Sequence, residues 1–150
     1  MEIRPAHMSE VAALAELINY HAERGRMLHR SVAYLYERVR NFSVCQIDQT
    51  IVGCCSLEPV WGDLGEVKSL AVKEGCAGRG IGKALLKHAL AIAKDIGVKQ
   101  AFCLSREPGF FEHWGFRQID RSELPHKVWS DCVSCPSKDD CDEVALIIDM

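Results

Sequence analysis

A strand that runs into a glycine-rich turn and then into a helix narrows the possible folds of this chain most. The strand reads Leu64 to Val72, and the turn holds Gly78-Arg79-Gly80-Ile81-Gly82-Lys83. The helix runs from Gly80 to about Lys94, with an apolar stripe at Ile81, Leu85, Ala89, Ile92 and Ala93. Glycines let backbone approach a ligand closely, and the first N–H groups of a helix point outward with the positive end of its dipole. Such a turn suits a pyrophosphate, with Arg79 and Lys83 adding charge at its rim. A dinucleotide fingerprint would sit in the first strand–helix unit, whereas three or four strands precede this one. A P-loop needs Ser or Thr after Gly-Lys, and Ala84 stands there instead. A purely structural turn is the remaining alternative.

Around this unit the periodicity predicts one α/β domain over residues 1–150, without repeats or linkers. Glu2 to Arg4 reads as a short strand. A helix from about Ser9 to Glu23 follows, capped by Ser9, apolar at Val11, Leu14, Ala15, Ile18 and Ala22, and stopped by Gly25. Ser31 caps a second helix with Val32, Leu35, Tyr36 and Val39 on one face. Phe42 to Ile47 and Ile51 to Leu57 form a hairpin through Asp48-Gln49-Thr50. After Gly97 come a buried strand at Gln100 to Leu104, a brief helix at Pro108 to His113, and strands at Arg117 to Asp120 and Val144 to Ile148.

A net charge of -3 gives no footprint for nucleic acid or a polybasic membrane contact, and no apolar run is long enough to span a bilayer. The chain opens without a signal-peptide core. Cys45, Cys54, Cys55, Cys76 and Cys103 are scattered through apolar stretches and one loop, as small hydrophobes of a reducing compartment. The expected location is therefore cytoplasmic. Cys132, Cys135 and Cys141, with His126 upstream, have donors for tetrahedral zinc, but only one Cys-x2-Cys pair is present. Packed thiols are the preferred reading, and no metal is assigned.

Val67 to Val72, the turn Ala77 to Gly82, and Pro108-Gly109-Phe110-Phe111-Glu112-His113-Trp114-Gly115-Phe116 together resemble the GNAT (GCN5-related N-acetyltransferase) superfamily over the whole chain. The resemblance implies a mixed, mostly antiparallel central sheet flanked by helices, an α/β (α+β) acyl-coenzyme A fold, and acetyl-CoA as cosubstrate. It implies that the backbone of Leu70, Ala71 and Val72 pairs with the pantetheine arm. Ala77, Gly78, Arg79, Gly80, Ile81, Gly82 and Lys83 would hold the pyrophosphate, with Ser105 and Phe111 also beside the coenzyme. Ala77 replaces the family's Gln or Arg, which removes one side-chain contact.

Acetyl transfer requires an amine to lose a proton, a carbonyl to be polarised and a thiolate to be protonated. Glu66, at the start of the strand where relatives carry a glutamate, is the candidate base; a plain strand-edge glutamate is the alternative. Relatives often place an acidic tyrosine in a Phe-Tyr pair, and the pair here is Phe110-Phe111. Ser105 is one possible donor, and the acid stays unassigned.

Gly25 to Ser31, Asp63 to Val72, Leu124 to Pro136 and Cys141 to Ala145 resemble short bacterial N-acetylglutamate synthases, which serve the first step of arginine biosynthesis. The resemblance implies a small amino acid, glutamate or glutamine, as acceptor. Its carboxylates call for cations, and Arg30, Lys68 and Lys127 lie in the matching segments, with Arg26, His29 and Arg106 in reserve. Another amine, such as a protein N-terminus or a lysine, is the competing acceptor, and a non-catalytic acyl-coenzyme A module the competing class. Oligomeric state is left open, a homodimer included.

Overall fold

The computed structural model describes residues 1–125 and 142–150. Strands β1 (Glu2–Pro5), β2 (Phe42–Ile47), β3 (Thr50–Trp61), β4 (Leu64–Val72), β5 (Gln100–Ser105), β6 (Arg117–Ile119) and β7 (Val144–Asp149) form one sheet in the order β1-β2-β3-β4-β5-β7-β6. Every neighbouring pair is antiparallel except β4 with β5. Helices α1 (Val11–Ala22), α2 (Val32–Glu37), α3 (Ile81–Asp95) and α4 (Pro108–His113) cover it. This is the expected mixed, mostly antiparallel sheet. Among the described residues, no helix is long and apolar enough to cross a membrane.

Strand alternation divides the core. Cys55 and Val67 face α3, packed with Ile81, Leu85 and Ala89. Cys54 and Ala71 face α1 and α2, packed with Leu14, Ile18 and Leu35. A third cluster joins Leu64, Phe102, Leu124, Ala145 and Ile147. Since Ala101 and Cys103 lie in the α3 cluster, Phe102 between them points to the α1/α2 side. Cys45, Cys54, Cys55 and Cys103 are free, buried thiols, and desolvation pushes Cys55 up to about 12.

Several local expectations need correction. Ser9 does not cap α1; it lies inside a 3₁₀ turn, Met8–Glu10. Glu10 is the anchor there, accepting from His7 N–H at 2.8 Å and from both terminal nitrogens of Arg4. The Arg4 guanidinium holds the Glu10 carboxyl below its usual range and ties β1 to α1. In α1 the buried stripe includes Leu17, whereas Ala15 and Ala22 are half-buried. Ser31 does cap α2, accepting from Tyr34 N–H at 3.0 Å. Yet α2 is too short to carry a four-residue apolar face: only Leu35 is buried, and Val32 and Tyr36 are about half exposed. On α3, Leu86 replaces Ile92 in the fully buried set. The β2–β3 hairpin turns through consecutive left-handed residues, Asp48 and Gln49, the primed geometry that matches strand twist.

Gly53 is where α3 presses hardest on the sheet. A Cβ there would lie 2.8 Å from Leu85 Cδ1, 3.0 Å from Ile81 Cγ2 and 3.3 Å from the Ala71 carbonyl. Gly53→Ala is therefore expected to destabilise the protein by about 1–3 kcal/mol, read as a lower denaturant midpoint at unchanged slope. A variant as stable as wild type would show that α3 moves away from β3 at little cost.

Candidate active site

The site begins where the sheet opens. β4 and β5 pair only at Leu64–Gln100, Gly65–Ala101 and Glu66–Phe102, after which β5 continues along β7 alone. On its other side β4 is bulged: Cys54 pairs with Ala71 but Ser56 with Lys68, so β4 spends an extra residue. Ser69 takes φ 55°, a left-handed conformation uncommon for serine. The bulge turns β4 away from β5, and among the described residues the β5-facing edge from Val67 onward has no strand partner. A cleft of 870 Å³ fills the gap.

Leu70, Ala71 and Val72 line this cleft, as do Ala77 and Gly82 at one end and Ser105 and Phe111 on the far wall. Gly78 and Gly80 have φ of 81° and 77°, so the turn needs residues without a Cβ, and Gly80 stands as the N-cap of α3. Gly82 sits farther inside: a Cβ there would touch the Phe110 ring at 3.5 Å and Val72 at 3.9 Å. Gly78, Arg79 and Gly80 are exposed on the turn outside the lining. Ile81 is 1% exposed and its side chain belongs to the core, leaving only its backbone for a ligand. The Lys83 ammonium lies 4.6 Å from the Trp114 ring centroid, a cation–π contact between α3 and the end of α4.

Glu66 and Arg30 are both 8% exposed and both line the cleft. Arg30 is fixed through its backbone, since the Asn19 amide accepts from its N–H and donates to its carbonyl, each at 2.9 Å. Its guanidinium lies 4.4 Å from the Tyr34 ring centroid, with Arg38 at 4.0 Å. Lys68 lines the cleft beside Glu66 and stands 3.8 Å from that carboxylate and 3.3 Å from Glu58. Glu58 pairs directly across from Glu66 on β3 and also meets Arg38 at 3.9 Å. Lys68 thus bridges two carboxylates that would otherwise repel across the ladder.

The remaining cations divide. Arg26 and Arg106 line the cleft, but each is paired: Arg26 with Glu74 at 2.9 Å, Arg106 with Asp142 at 2.6 Å. His29 faces away, in a surface hollow with Glu16 and Tyr20. Lys127, together with His126, Cys132, Cys135 and Cys141, lies outside the described residues. Among the lining groups that escaped the sequence reading are His21, whose Nε2 bonds the Val72 carbonyl at 2.8 Å, Glu143 and Arg121. Cys103 sits on the cleft floor, where burial, with the nearby Glu66 carboxylate adding to it, pushes its thiol far above the ordinary range. The Ser105 hydroxyl accepts from Glu107 N–H at 2.9 Å, which leaves its own proton free to be donated.

The comparisons with known proteins agree with this geometry. The acetyltransferase (GNAT) domain family matches residues 38–118. An uncharacterized N-acetyltransferase of Chlorobaculum tepidum is 34% identical over 97% of this chain and 94% of its own length. The amino-acid acetyltransferase of Mycobacterium tuberculosis is 32% identical over 86% of this chain and 75% of its own. The N-acetylglutamate synthase of Neisseria gonorrhoeae, solved with coenzyme A and N-acetyl-glutamate, superposes at a TM-score of 0.90 with 31% identity. It covers 99% of this chain, which spans only 34% of that larger one. A bulged β4, a sheet splayed beside it, a glycine turn capping α3 and these matches together place the chain in the GNAT acetyltransferase family.

Proposed function

We propose that this protein transfers the acetyl group of acetyl-CoA to the α-amino group of glutamate or glutamine. The observation that carries the reading is that one cleft is lined by both a buried carboxylate, Glu66, and a buried arginine, Arg30. It is supported by the relatives named for amino-acid acetylation or N-acetylglutamate synthesis.

The splay fits the donor. Its strand-length open edge at Leu70–Val72 offers backbone groups to the amide-bearing pantetheine arm, and the turn from Ala77 to Gly82 offers N–H groups to a pyrophosphate. Acetyl-CoA supplies an activated thioester carbonyl. Arg30 orients a substrate carboxylate, Glu66 removes a proton from the ammonium, and the freed amine attacks that carbonyl. The Ser105 O–H, on the cleft wall, donates a hydrogen bond to the departing thiolate, which takes up the proton that the attacking nitrogen sheds as the amide forms. Cys103 takes no part as a nucleophile, since a thiol held so far above its ordinary range stays protonated. In this reading transfer is direct, without an acetylated Cys103.

The test is release of free coenzyme A thiol from acetyl-CoA with each of the twenty amino acids and with an N-terminal peptide. Turnover concentrated on glutamate or glutamine is expected. Turnover only with the peptide, or equally with all amino acids, would discard the reading.

A further inference from the structure

We infer that His21 is a positioning residue for the coenzyme: it holds the Val72 carbonyl at the end of the open β4 edge, and so sets how the pantetheine arm docks there. The inference rests on the acetyl-CoA reading above. Lys73 N–H donates to the Val52 carbonyl on β3 at 2.7 Å. In a trans peptide the carbonyl and the N–H point in opposite directions. The Val72 carbonyl of that same unit is therefore aimed at the other edge of β4, into the cleft. There His21, which lines the cleft, meets it at 2.8 Å through Nε2. The Val72 N–H shares that edge, because both groups of one strand residue face the same side. With a donor already on the carbonyl, the N–H is the group this residue offers to an amide oxygen of the arm.

The placement of His21 follows from how α1 ends. Gly25 is left-handed at φ 72°, its N–H bonds the Ala22 carbonyl at 3.0 Å, and Arg26 N–H bonds the His21 carbonyl at 3.1 Å. These are the paired bonds of a Schellman ending, which brings the residue after the glycine back over the one five positions before it. An apolar contact is usual at that place. Here Arg26 Nη1 donates instead to His21 Nδ1 at 2.9 Å. An arginine only donates and a carbonyl only accepts, so the two contacts fix one tautomer, with Nδ1 bare and the proton on Nε2, turned to Val72. The same Nη1 meets Glu74 at 2.9 Å, two residues past the end of β4. The Tyr20 ring packs edge-on against His21 at 5.3 Å. The end of α1 and the end of β4 are thus joined by one bracket. Its Arg26–Glu74 pair is about half exposed, so the partly buried His21–Val72 bond is the firmer link.

The decisive experiment is calorimetry of coenzyme A binding to wild type, His21→Ala, His21→Gln and His21→Met, with steady-state kinetics and thermal melts of each. His21→Ala is expected to weaken coenzyme A about fivefold, the worth of one hydrogen bond, and to raise the acetyl-CoA KM in step. Its kcat and glutamate KM should stay within about twofold of wild type, a split that general loosening of the fold would not produce. His21→Gln, whose amide can donate to the same carbonyl, is expected to bind coenzyme A within about twofold of wild type. A folded His21→Ala that binds coenzyme A as tightly as wild type overturns the inference. Tighter binding does so too, since His21 would then compete with the arm for Val72. Should His21→Ala melt early, His21→Gln and His21→Met decide: they share a length and differ in the donor, and equal affinities overturn the inference. A wild type that binds no coenzyme A removes the coenzyme reading, and this inference with it.

Discussion

Replacing Glu66 with glutamine is expected to lower kcat by about 10²–10⁴-fold, the range a positioned general base contributes. The acetyl-CoA KM should stay near wild type, because the coenzyme-facing edge of β4 begins beyond this residue. Glutamine keeps the shape and can still accept from Lys68, but it takes up no proton at neutral pH. Lys68 retains Glu58 at 3.3 Å, so the substitution leaves no ammonium stranded in the cleft. The variant should therefore fold, and a melt close to wild type checks that the lost rate is chemical. A general base makes a rate rise with pH as it ionises, and in Glu66→Gln that limb is expected to flatten, leaving only the rise from free amine in solution. A folded variant with wild-type kcat at every pH would return Glu66 to the status of a strand residue held in an ion-pair chain.

Glu66 also shows how far the sequence could be read. Its place on a strand leading to a glycine turn was legible, since β4 and α4 begin and end at the residues their patterns predict. What the pattern hides is the bulge. Ser69 carries no left-handed signal of its own; its φ of 55° is imposed by pairing with β3, a contact distant in sequence. The pairing of Glu58 with Glu66 is hidden for the same reason, and with it the true neighbours of Lys68. Arg121 was missed because neither a helical nor a strand period marks a three-residue 3₁₀ turn. On α2 the periodicity overreaches: it predicts a four-residue apolar face, and the helix, six residues long, has room to bury one. Local signals located the glycine turn, and resemblance pointed to Glu66 as the candidate base. The cations of the cleft come from segments far apart in the chain, and of these Arg30 and Lys68 were reached by resemblance, with Arg26 and Arg106 in reserve.

Arg30→Ala is expected to raise the amino-acid KM about 10²-fold or more, leave acetyl-CoA binding alone, and erase most discrimination between glutamate and an apolar amino acid of similar length. The size follows from what a cleft built for charge does to the wrong ligand. A missing methylene costs about 1–3 kcal/mol, but a substrate that leaves buried polar groups unpaired is rejected about 10⁴–10⁵-fold. Wild type should thus prefer glutamate or glutamine to norvaline by a wide margin, and the alanine variant should narrow it by slowing glutamate, not by improving norvaline. Structure favours a clean measurement here. The Asn19 clamp holds the Arg30 backbone, not its side chain, so the loop before α2 keeps its place when the guanidinium goes. Tyr34 keeps Arg38 on its ring. Arg30→Lys should recover only part of the loss, since an ammonium cannot present two parallel N–H donors to one carboxylate. Calorimetry of coenzyme A binding to the alanine variant separates the two ligands: wild-type affinity there, with glutamate KM raised, places Arg30 on the acceptor. An unchanged glutamate KM, or norvaline turned over as well as glutamate by the wild type, would mean that the cleft does not select by carboxylate pairing.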